Sequence, residues 1–124
     1  MNNSLQTRVR NWVIGCFGQN SFENKHERSA RLVEEAIELA QACGLEKDFV
    51  GRILDVVYSK PVGEVKQEVG GVAVCLLALS DSYGFLAGDA LEDEVKRLEK
   101  VPVGHFRRWH QAKTDAGIAL QHTT

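Results

Sequence analysis

The chain has 124 residues, a net charge of −2, and apolar and charged shares of 44% and 26%. That is the length and balance of one soluble globular domain, so neither a disordered nor a fibrous class is suggested. Acidic and basic residues are mixed rather than blocked, which leaves no electrostatic footprint for a nucleic acid polymer or an anionic membrane.

The longest apolar run, 72–79, is less than half of what a bilayer crossing needs. The stretch over 12–17, although it follows Arg8 and Arg10, is too short for a signal peptide and no small-residue cleavage site follows it. Cys16, Cys43 and Cys75 are odd in number, widely spaced and set among apolar neighbours, which favours reduced thiols buried in the core over a disulfide framework, and a cytoplasmic location.

Two prolines and no sustained alternation of apolar and polar residues argue against strands. The expectation is one all-helical domain over 1–124, of about five helices, with the tail after about 115 fraying. The first helix is predicted over 5–16, with Leu5, Val9, Trp12 and Val13 at helical spacing. The second covers 25–43, where Asn24 and Glu27 read as a capping box and Gly44 as the C-terminal stop.

The third covers 46–59, its apolar face being Phe49, Val50, Ile53, Leu54 and Val57, and breaks at Pro61. A fourth runs from Glu64 to Gly84 and is apolar almost all round over 69–79, the pattern of a helix buried on most sides or in a subunit interface. A fifth starts at Asp89, capped with Glu92, and stops before Pro102; a short amphipathic segment follows over 105–113.

At about 100° per residue, Leu32, Val33, Ala36, Ile37, Leu39, Ala40 and Cys43 fill one apolar arc of the second helix, expected to be core. Glu34, Glu35 and Glu38 project from the other side, where their carboxylates can converge. Three like charges held together are unfavourable unless a cation sits among them. The alternative is a solvated face steadied by Arg31.

Glu68 falls within the apolar stripe of the fourth helix, with Glu64 at its edge. A carboxylate there needs a partner, either a shared divalent cation or an arginine or lysine from a neighbouring helix. Gly70 and Gly71 lie mid-helix, each costing about 1 kcal/mol relative to alanine. Close approach of a second helix or of a ligand would account for them.

The segment 28–42 (RSARLVEEAIELAQA) resembles the E-E-x-x-E motif of the MazG-like all-alpha nucleoside triphosphate pyrophosphohydrolases, and Glu68 in 64–79 (EVKQEVGGVAVCLLAL) sits where their E-x-x-D motif begins. The similarity covers about residues 10–100. It implies a helical bundle, and the nearly all-apolar fourth helix calls for a symmetric partner to cover it, hence a homodimer or homotetramer. It also implies Mg2+-dependent hydrolysis of (deoxy)nucleoside triphosphates to monophosphate and pyrophosphate, with Mn2+ able to substitute and house-cleaning of nucleotide pools as the role.

By motif position Glu35, Glu38 and Glu68 become metal ligands and Glu34 a general base or accessory ligand. The chain departs from the family at Gly71, which stands where the aspartate belongs. That leaves open a phosphoribosyl-ATP pyrophosphohydrolase-like enzyme and a non-catalytic, nucleotide-binding or structural helical oligomer.

The leaving pyrophosphate needs cations, for which Lys60, Lys96, Arg97, Lys100 and Arg107 are candidates. Trp12, Phe17 and Asn20 are candidates for holding the base, the alternative being core packing for Trp12 and Phe17 and turn formation for Asn20. No histidine spacing for zinc, nucleophile elbow or phosphate-cradling glycine loop occurs.

Overall fold

The computed structural model describes residues 3–119. Among them there are seven helices and no strand: α1 (Asn3–Phe17), α2 (Gln19–Glu23), α3 (Lys25–Ala42), α4 (Lys47–Tyr58), α5 (Val65–Ser82), α6 (Ala87–Lys100) and α7 (Val103–Asp115). The chain divides into two units, one of residues 1–34 with 91–124 and one of residues 35–90.

In the first unit α1 packs on α2 and on α7. Its interior is formed by Val13, Cys16, Val95 and Phe106. Around Phe106 the rings of Trp12 and Trp109 stand edge to face, with centroids 5.0 and 5.2 Å away. Such pairs contribute about 1 kcal/mol each beyond area burial. Arg8 on α1 reaches Glu92 and Glu99 on α6 at 3.0 and 2.8 Å.

Gly18, at φ 91°, separates α1 from α2. The sequence reading does not anticipate α2, because five residues are too few to show a helical period. The start of α3 does follow the expected cap, with the Glu27 N–H donating to Asn24 Oδ1 at 2.9 Å. The reciprocal half of the box is not made, since the Asn24 N–H donates to the carbonyls of Asn20 and Ser21.

The expected stop at Gly44 is a Schellman turn: at φ 86° the Gly44 N–H donates to the Gln41 carbonyl and the Leu45 N–H to that of Ala40. Gly84 ends α5 in the same way. α6 starts at Ala87, two residues before the anticipated Asp89 cap, because the Leu86 carbonyl accepts the first backbone bonds. Where fraying was expected, the Ile118 N–H donates to the Lys113 carbonyl and closes α7; residues 120–124 lie outside the described residues.

The second unit is built differently. Among its described residues no helix backbone packs closely on another, and α4 has no buried residue at all. Phe49, Ile53, Leu54 and Val57 on α4, and Val69, Val72, Val74 and Leu77 on α5, are exposed. The arc of α3 assigned to the core is also open, with Leu32 53% and Ile37 51% exposed. The periodicity marks an apolar face correctly, but a pattern specifies that a face must be covered and not by what. Cys43 is half-buried and Cys75 exposed, so of the three free thiols only Cys16 is buried as expected.

No single helix among the described residues is long and apolar enough to cross a membrane.

Candidate functional site

α3 delivers its glutamates to two different environments. Glu34, in the first unit, is committed to cations: Arg31 Nη1 donates to its Oε1 at 2.8 Å, and Lys113 of α7 donates to the same oxygen. Glu35 and Glu38, in the second unit, are exposed on successive turns. Glu38 forms no ion pair with any described residue.

Glu68 is exposed, not buried as its position in the apolar stripe suggested, because nothing within its unit covers that side of α5. Its carboxylate folds back over Gly63, where an added Cβ would come within 2.5 Å of Glu68 Oε1. No Cβ fits at Gly63 unless the Glu68 side chain swings away. At Gly70 and Gly71 a Cβ would meet nothing within 4 Å. Among the described residues nothing makes the close approach expected there.

Among the described residues no group of three histidine, cysteine, aspartate or glutamate side chains stands close enough to hold a metal ion. Glu35, Glu38 and Glu68 have the hard oxygen donors that Mg2+ takes, but a single copy does not bring them together, so one chain by itself does not fit the ion.

The remaining candidates separate as follows. Lys60 is exposed in the turn after α4. Trp12 is half-buried in the ring cluster, with its indole Nε1 lacking a hydrogen-bond partner. Phe17 belongs to the same cluster, and Asn20 is exposed on α2. Lys96, Arg97 and Lys100 line one groove at the end of α6, whereas Arg107 lies exposed on α7.

A polar network that the sequence reading passes over lies where α3 meets α7. Glu27 is only 3% exposed. Its Oε1 lies 3.1 Å from Arg31 Nε and 3.7 Å from His110 Nδ1. Arg28 beside it donates to Ser21 Oγ, and burial pushes its guanidinium below the usual arginine range. The i to i+4 spacing of Glu27 and Arg31 was the one local signal available; His110 and Lys113 carry none, since they arrive from 79 or more residues away.

No protein-family model matches the chain, and no curated protein or solved structure matches it either.

Proposed function

We propose that the chain is a MazG-like nucleoside triphosphate pyrophosphohydrolase whose site is completed by a second copy of itself. The observation that carries the reading is a coincidence on α3 and α5. The acidic positions Glu35, Glu38 and Glu68 are exposed, and so is the apolar surface of the same two helices. Exposed apolar area on this scale favours association, and Gly70 and Gly71 leave room for a helix to approach α5.

In this reading a homodimer or homotetramer in the cytoplasm gathers Glu35, Glu38 and Glu68 to hold Mg2+, or Mn2+ in its place. A divalent ion there supplies neutralisation of the triphosphate and activation of a water. The protein's own part is to present three carboxylates on two helices and to offer cations to the leaving group, Lys60 being the candidate that lies in the same unit. The substrates are (deoxy)nucleoside triphosphates and the products monophosphate and pyrophosphate, in a house-cleaning role; phosphoribosyl-ATP belongs in the same test.

Gly71, standing where the motif has aspartate, favours a second reading: an assembly that binds nucleotides without hydrolysing them.

The test is pyrophosphate release across a panel of common and modified nucleotides with Mg2+. Release that is lost in both Glu38→Gln and Glu68→Gln, with helix content unchanged, supports the enzyme. Thermal stabilisation by a non-hydrolysable triphosphate without any release supports the second reading.

A further inference from the structure

We propose that the elbow between α6 and α7 is a binding site for a small phosphorylated anion, formed by side chains from residues 93–105 and independent of the carboxylates on α3 and α5. A groove of about 520 Å³ lies there, lined by Asp93, Lys96, Arg97, Lys100, Val101, Pro102 and His105. That volume is within the range of small-molecule sites. Its lining holds three cations and one carboxylate, and the His105 ring adds a further polar group.

The cations are unevenly committed. Arg97 is forked onto Glu94 at 2.8 and 2.7 Å, and Lys96 lies 3.8 Å from Glu92. Lys100 forms no ion pair with any described residue. Part of this charge offsets the negative end of the α6 dipole, which Arg97 and Lys100 occupy. All three cations line the same open groove, with the Lys96 and Arg97 side chains more than half exposed at its edge.

The chemistry selects a multiply charged phosphate rather than a carboxylate. Several ammonium and guanidinium donors spread along one groove match an anion with charge on more than one centre, and a guanidinium pairs with phosphate through two parallel bonds. Val101 and Pro102 add an apolar edge to the groove.

Isothermal titration of the 124-residue chain with inorganic pyrophosphate, in EDTA at low salt, tests the assignment. Binding is expected to weaken at least tenfold in Arg97→Glu/Lys100→Glu and to fall steeply with added NaCl. It should be unchanged in Glu38→Gln and Glu68→Gln, which separates this site from the proposed active site. Should the double variant fail to fold, amide shifts of the wild-type chain confined to 93–105 on addition of pyrophosphate would carry the same conclusion. No binding, equal binding by a folded double variant, or shifts centred elsewhere would overturn it.

Discussion

Lys113 on α7 closes an ion pair with Glu34 on α3, tying together positions 79 residues apart. The same Glu34 oxygen takes Arg31, so the first glutamate of the E-E-x-x-E segment is held by protein cations rather than presented to a ligand. Both partners are partly exposed, which sets the scale at about 0.5–1 kcal/mol. A double-mutant cycle of Lys113→Met and Glu34→Gln is expected to return a coupling energy of that size in urea unfolding. A coupling of zero would show that the pair holds nothing.

Arg31 matters more to Glu27 than to Glu34. Glu27 is almost fully buried, and removing the guanidinium 3.1 Å away leaves a carboxylate in the interior without its nearest cation. Arg31→Met is therefore expected to lower stability by about 3 kcal/mol, and Arg31→Met/Glu27→Met to recover most of that loss. Unfolding followed by circular dichroism measures both; a double variant no better than the single one would refute the account.

The open face of α5 leads to a different expectation. Leu77 is 59% exposed, so Leu77→Asp should change the stability of an isolated chain by no more than about 0.5 kcal/mol. If the face is covered by a second copy, the same substitution dissociates the assembly. Light scattering coupled to size exclusion decides, expecting an oligomer for the wild type and a monomer for the variant. A wild-type chain that stays monomeric at all concentrations rules out the assembly.

Acid should loosen the contact between α1 and α6. The Arg8 guanidinium, donating to Glu99, holds that carboxyl below the usual carboxylate range, and Arg97 does the same for Glu94. A carboxylate with a depressed folded value contributes stability at neutral pH. That contribution is kept above the unfolded value, near 4.3, and is lost as pH falls through the lower folded one. Glu99→Gln should melt below the wild type at pH 7, and the gap should close as pH falls below the unfolded carboxylate value, about 4.3. A gap that does not vary with pH would mean the pairing contributes nothing.

Much of the secondary structure was legible in the sequence because the signals were local. Asn24 with Glu27, Gly44 and Gly84 act through bonds within a few residues and Pro61 through the N–H it lacks, and each marks a boundary close to where it was expected. α2 was hidden by its brevity.

The apolar arcs of α3, α4 and α5 were legible as faces, yet their partner was not, since covering a face is a long-range event that periodicity does not encode. The site divides along the same line. Glu34, Glu35 and Glu38 could be set on one side of a helix from spacing alone, whereas Lys113 capturing Glu34 depends on α7 returning to α3. Glu68 was expected inside the stripe and buried, and it is exposed because that stripe has no cover within its unit.

The lack of any buried apolar residue among residues 35–90 bears on how the protein survives in dilute solution. A segment that shields little oil from water holds its shape only weakly, and its openings expose it to proteases. If a like chain provides the missing cover, each tenfold rise in concentration strengthens a dimer by about 1.4 kcal/mol. Abundance would then govern persistence, with freshly made copies fragile until they find one another.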